Sequence, residues 1–189
     1  MNFKKKNATK LNAVLATILP LALGVGLAAC TSTDSPTSEA TTAASGSENS
    51  AVQDLLNLGI SEASENKVTE AQNTFNNVLA LEPGNYFALY NLGVIAQNAG
   101  NNDEAISYYD QALSSNASYT PAMYNKAIII EATDQKQAIS LYEEIVGIDD
   151  QAATAYYRLS VLYEDQGDTQ KADAARAKAV ELDPTLTSE

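Results

Sequence analysis

The sequence predicts an all-α fold, a solenoid of four stacked helix-turn-helix units, and three observations carry that expectation. Small and apolar residues recur at i, i+3, i+4 and i+7, as in Leu89, Leu92, Gly93 and Ala96, which places them on one face of a helix. A polar turn, Asn98-Ala99-Gly100-Asn101-Asn102, then leads into a second such stretch with Ala105, Tyr109, Ala112 and Leu113. The 34-residue stretch Tyr86 to Tyr119 that holds both can be laid over the chain on either side in the same register. One such hairpin cannot bury its own apolar face, and stacking supplies the missing neighbour.

Taken in order, the chain starts with a segment that does not read as part of the fold. Lys4, Lys5, Lys6 and Lys10 form a positive head, and the 17 residues Ala13 to Ala29 are apolar apart from Thr17. That is the layout of a secretory signal, assigned to residues 1–29. Its end, Leu27-Ala28-Ala29-Cys30, resembles the lipobox of bacterial lipoproteins. The resemblance implies cleavage before Cys30 and a diacylglycerol on its thiol, and two acyl chains suffice for stable anchoring. The other reading is an uncleaved transmembrane anchor, since a span needs about 17–25 residues. Pro20, Gly24 and Gly26 make a poor spanning helix. Both readings place the repeats outside the cytoplasm on a bacterial membrane, either the cell membrane or the outer membrane. Cys30 is the single cysteine, so no intramolecular disulfide is expected.

Residues 30–51 read as the lipidated cysteine and a flexible linker. Thr31 to Ser50 is rich in Ser, Thr and Ala, with no aromatic residue and no leucine, and it cannot bury enough surface to offset its ordering entropy. At about 5–6 Å × √n, a coil of that length reaches roughly 25 Å.

Residues 52–186 divide into units 52–85, 86–119, 120–152 and 153–186, followed by a tail at 187–189. The first unit matches with Leu55, Leu58, Gly59, Ala71, Phe75, Val78 and Pro83. The third matches with Met123, Ala127, Ile130, Tyr142 and Ile145 but is one residue short in its turn. The fourth matches with Tyr156, Leu159, Ser160, Tyr163, Gly167, Ala172, Ala179 and Pro184. The unit resembles the tetratricopeptide repeat, whose signature offsets 7, 8, 20, 24 and 27 hold Leu92, Gly93, Ala105, Tyr109 and Ala112. The resemblance implies a right-handed superhelix with eight helices. Lys126 stands at offset 7 of the third unit, where its alkyl stem can cover apolar surface while the ammonium reaches water. Arg176 replaces the aromatic residue at offset 24 of the last unit, and the charged last helix suits a terminal repeat with no following neighbour.

Catalysis is not expected, and neither is a cofactor or metal. There is no His to act as a base near neutral pH, and acylation would remove the only thiol. The adjacent acids Glu143-Glu144 and Asp149-Asp150 read as solvated helix surface, and the acidic segments lack the spacing of a calcium loop. Loss of the four head lysines leaves 7 of the 11 basic residues against all 24 acidic ones, a net charge of −17. That opposes nucleic acid and suits either a basic protein partner or plain solubility.

What remains is a surface for a protein or peptide. In the resembled family the first helix of each repeat lines a concave groove. Carried onto this chain, that gives Phe87, Tyr90, Asn91, Val94, Tyr124, Asn125, Ile128, Tyr157, Arg158 and Val161 as partner-binding residues, with Ile60 in the same register as Val94. Tyrosine supplies contact area at low rotamer cost, and Asn can pair with peptide groups. The same residues also fit interior packing. Chaperone-binding members clamp a terminal carboxylate with lysines, where Tyr90, Tyr124 and Thr154 stand here; only Asn125 and Arg158 fit that clamp. The expected function is a membrane-anchored, non-catalytic scaffold for an envelope complex. The alternative is an accessory subunit of an envelope enzyme or a solute-binding lipoprotein, which a small-molecule pocket with converging charges would favour over an open groove.

Overall fold

The structure, a computed structural model, describes residues 39–187. Cys30 and the signal segment lie outside the described residues. Eight helices run in order: α1 (Glu39–Ser64), α2 (Val68–Leu81), α3 (Tyr86–Asn98), α4 (Asn102–Ser115), α5 (Thr120–Ile130), α6 (Gln135–Ile148), α7 (Ala153–Asp165) and α8 (Thr169–Leu182). Among the described residues there is no strand. The fold is all-α, as expected.

Local chemistry sets several of the boundaries. The Asn85, Asp134 and Asp168 side chains each accept a backbone N–H at the start of α3, α6 and α8, which satisfies a donor with no partner inside the helix. Pro121 sits in the first turn of α5, where its missing N–H costs nothing. The turns closing the first, second and fourth hairpins each use one left-handed residue: Asn66, Gly100 and Gly167. The third hairpin has none. Its shorter turn closes instead with the Thr133 and Asp134 N–H groups donating to the Ile130 carbonyl.

The first helix corrects the linker expectation. α1 begins at Glu39, so residues 39–51 continue a helix where composition suggested flexible chain. Composition tests whether a segment can bury surface. It does not test propagation: once Val52 and Leu56 are docked, each residue added to the helix end gains a hydrogen bond without a new nucleus.

The helices pair into hairpins α1–α2, α3–α4, α5–α6 and α7–α8, and each second helix packs on the following first helix. Three buried clusters follow from this. One joins Ala71, Phe75 and Val78 to Leu92 and Ile95; the next joins Leu89 and Tyr109 to Ala122; the last runs from Met123 through Tyr142 to Leu159, Tyr163 and Ala172. Gly93 is required by a ring. A Cβ there would lie 2.5 Å from Cε1 of Tyr109, and one at Gly59 would lie 2.7 Å from Cε1 of Phe75. Smallness at offset 8 therefore makes room for an aromatic side chain rather than for backbone contact.

Two residues of the register behave differently from their counterparts. Leu58 matches the offset of Leu92 and Leu159, yet it is 49% exposed while those two are buried. That offset packs against the preceding hairpin, and none precedes α1 among the described residues. Lys126, at the same offset, covers the surface with its stem and pairs its Nζ with Asp110 of α4 at 2.6 Å.

Candidate functional site

Two consecutive pairs of first helices touch, α1 with α3 and α3 with α5, while no comparable contact joins α5 to α7 or any two second helices. The first helices therefore crowd the inner side of the stack. The offset-9 residues expected on that side are aliphatic in all four units. Ile60 and Val161 are exposed, and Val94 and Ile128 are half-buried. Phe87 adds an exposed ring at the start of α3, 4.2 Å between centroids from Tyr86.

The tyrosines expected beside the offset-9 residues do not form a uniform row. Tyr124 and Tyr157 are half-buried, but Tyr90 is only 8% exposed, beneath the edge of Tyr119 at 5.4 Å between centroids. Asn125 is buried as well. Its Nδ2 donates to the hydroxyls of Tyr90 and Tyr109, each at 3.4 Å, and the Tyr109 hydroxyl donates to Gln97 Oε1 at 2.6 Å. Burial holds the Tyr90, Tyr109 and Tyr119 phenols above their ordinary range, so all three stay protonated at neutral pH. Tyr90 and Asn125 thus leave the set of partner-contacting residues. They hold the second unit to the third. The sequence could not distinguish these roles, because an offset-5 side chain leaves its helix in the same direction whether or not a ring from the turn after the hairpin covers it.

Arg158 is corrected in the same way. Its Nε lies 2.9 Å from Glu131 Oε1, an ionic contact without good hydrogen-bond alignment. The Tyr142 hydroxyl donates to the same carboxylate oxygen at 2.6 Å, and the ring of Tyr124 stands edge-on to Tyr142. Burial first, then the Glu131 carboxylate, push the Tyr142 phenol well above its ordinary range. Burial works against the Arg158 charge, but Tyr142, Glu131 and Tyr124 together outweigh it and raise its pKa. A guanidinium held this way is committed to the chain's own carboxylate. Asn91 is also engaged: its Nδ2 donates to the Phe87 carbonyl one turn back.

Offset 12 was the overlooked position. Tyr109 bonds Gln97, Tyr142 bonds Glu131, and Arg176 bonds Glu164, in each case linking offset 24 to offset 12 of one unit. The first unit has Phe75 and Ala63 at these places. The signal was present in the chain as a matched change, Phe with Ala, Tyr with Gln or Glu, Arg with Glu.

Two sequence-family models of the tetratricopeptide repeat match residues 56–128 and 153–186, together more than half of the 189 residues. The chain belongs to the tetratricopeptide repeat family. Its repeats resemble the crystal structure of MamA, with a TM-score of 0.63 at 24% identity over 71% of this chain and 79% of that one. They also resemble PilF of Pseudomonas aeruginosa, with a TM-score of 0.65 at 16% identity over 74% of this chain and 66% of that one. At those identities the likeness is one of fold. A photosystem I assembly protein, Ycf3 of Acaryochloris marina, is 34% identical over 64 residues, 32% of this chain and 39% of that protein. A probable UDP-N-acetylglucosamine–peptide N-acetylglucosaminyltransferase, SPINDLY of Hordeum vulgare, is 29% identical over 120 residues, 59% of this chain. The chain spans only 13% of SPINDLY.

Proposed function

We propose that this tetratricopeptide repeat chain is a membrane-anchored, extracytoplasmic scaffold that holds a protein partner on the inner face of its first helices, without catalysis of its own. The carrying observation is the aliphatic residue at one offset of every first helix, exposed at Ile60 and Val161 and half-buried at Val94 and Ile128. Apolar groups left at the surface at one repeated position mark an interaction surface. A relative named as an assembly protein supports a role in building or regulating a complex. The anchor rests on the lysine head and on Leu27-Ala28-Ala29-Cys30. Non-catalysis rests on the lack of His and of a thiol outside Cys30.

The test is site-specific photo-crosslinking in intact envelopes. A photoreactive residue at Val161 or Phe87 is expected to give the same discrete adduct, and one at exposed Gln72 of α2 none. Equal labelling at all three sites, or none at the two inner ones, overturns the groove reading. Intact-mass measurement of the same material is expected to show a chain starting at acylated Cys30, and an unmodified full-length chain overturns the anchor.

A further inference from the structure

We propose that the molecule carries a second binding site, a notch on the second-helix side of α7 that takes an aromatic side chain of a partner polypeptide. It does not rest on the reading of the inner face. The notch lies where α6, α7 and α8 meet, has a volume of about 280 Å³, and is walled by Val146, Tyr156, Leu159, Tyr163, Ala174 and Ala175. With 3.6 residues per turn, Val161 leaves α7 on the side away from Tyr156, Leu159 and Tyr163. The space traces to one position of the repeat. Offset 23, on the second helix, holds Tyr108 in the second unit and Leu141 in the third. Both pack half-buried against the hydrophobic clusters, and Tyr108 reaches from α4 to the cluster of Phe75, Val78 and Leu92. The last unit has Ala175 at that offset. Its large residue stands across the junction instead, Tyr163 at offset 11, where the earlier units have Ala96 and Ile130. The exchange does not close the space. The Tyr163 hydroxyl donates to Glu143 Oε1 of α6 at 2.6 Å, and the notch over Ala174 and Ala175 stays open.

Size and chemistry name the occupant. An apolar cavity of about 150 Å³ takes a benzene ring, so the notch has room for an aromatic side chain. Two of its walls are tyrosine rings, and aromatic pairs gain from edge-to-face packing beyond the area they bury. The Lys171 ammonium stands at the lip, 5.0 Å from the centroid of the Tyr163 ring, and its ion-pair partner Asp168 is 4.0 Å away. A cation at that place favours the face of a guest ring over an aliphatic chain. In the second and third units the corresponding position is filled by a side chain carried on a helix, Tyr108 and Leu141. A partner polypeptide supplies at the last junction what α8 does not.

Methyl NMR on the full chain tests the site with two capped peptides, one carrying a single phenylalanine among glycines and the other leucine in its place. The phenylalanine peptide is expected to shift the methyls of Val146, Leu159, Ala174 and Ala175, to leave those of Ile128 and Val161 in place, and to bind at least fivefold more tightly than the leucine peptide. Ala175→Leu, which restores the residue of the third unit, is expected to weaken that binding at least tenfold. It fills a void, so the melting temperature is expected to stay at or above wild type. Ala174→Leu, at an exposed position on the lip, is expected to weaken binding at least threefold, and it decides the matter if Ala175→Leu does not fold. No shift at the notch methyls, equal binding of the two peptides, or undiminished binding by Ala174→Leu overturns the site. The source of the ring is read by a photoreactive residue at position 174 in intact envelopes. A polypeptide adduct that Ala175→Leu or, failing that, Lys171→Ala diminishes is expected. An adduct of small-molecule mass, or none, overturns the polypeptide occupant, and crosslinking at Val161 judges the inner face separately.

Discussion

The junction between the second and third units and the junction between the third and fourth use the same positions with different chemistry. In each, the offset-6 residue of one unit reaches back into the set of offset-5, offset-12 and offset-24 groups of the unit before. At the first junction that residue is Asn125, and the groups are Tyr90, Gln97 and Tyr109, all neutral. At the second it is Arg158, and the groups are Tyr124, Glu131 and Tyr142. The neutral junction is closed by amide–phenol bonds and by a ring from Tyr119. The charged junction places an ion pair where its two side chains are only 14% and 18% exposed. The difference teaches that one backbone register tolerates either solution provided every member has a partner. It also predicts that the two junctions fail differently.

The largest effect is expected at the charged junction. Glu131→Ala leaves Arg158 largely buried without its carboxylate, and breaking such a pair from one side costs about 3–5 kcal/mol. The paired change Glu131→Gln with Arg158→Asn rebuilds the neutral solution of the preceding junction. It is expected to cost far less than Glu131→Ala, about 1 kcal/mol, because no uncompensated charge remains. Urea denaturation of both variants measures the comparison. A double variant as unstable as Glu131→Ala would show that the two junctions are not interchangeable.

Alkaline pH is expected to strike both junctions. Tyr109 and Tyr142 are fully buried and their phenols sit well above the ordinary value near 10, Tyr142 with the added push of Glu131. The raised folded value means the unfolded chain loses these protons first as pH rises. Stability is therefore intact below about pH 10 and falls above it, by about 1.4 kcal/mol per pH unit for each phenol that stays protonated in the fold. Equilibrium unfolding between pH 8 and 11, with Tyr109→Phe and Tyr142→Phe as controls, reads the slope; each substitution is expected to flatten it.

A smaller effect concerns the ring that each junction packs beside its own first helix. Tyr109 faces Gly93, whereas Tyr142 occupies the same offset beside Ala127. Gly93→Ala puts a methyl group 2.5 Å from the Tyr109 ring as it stands, so the ring must move, at about 1–3 kcal/mol. A melting temperature equal to wild type would show that the second unit can adopt the spacing of the third.

Much of this was legible along the chain. The period and the Asn and Gly of the turns follow from helix geometry and backbone sterics, which act over a few residues. The inner face, with Ile60, Val94, Ile128 and Val161 at one offset of it, came from the resemblance to the tetratricopeptide repeat rather than from those rules. Neither could say which inward-facing residues stay open. Tyr90 is covered because Tyr119 of the next turn lies across it. Arg158 is unavailable because Glu131 of the previous unit meets it, and Leu58 is exposed because no hairpin precedes it among the described residues. Each outcome depends on a neighbour distant in sequence. Periodicity fixes the direction a side chain takes from its own helix, and only the packed neighbours determine what it meets there.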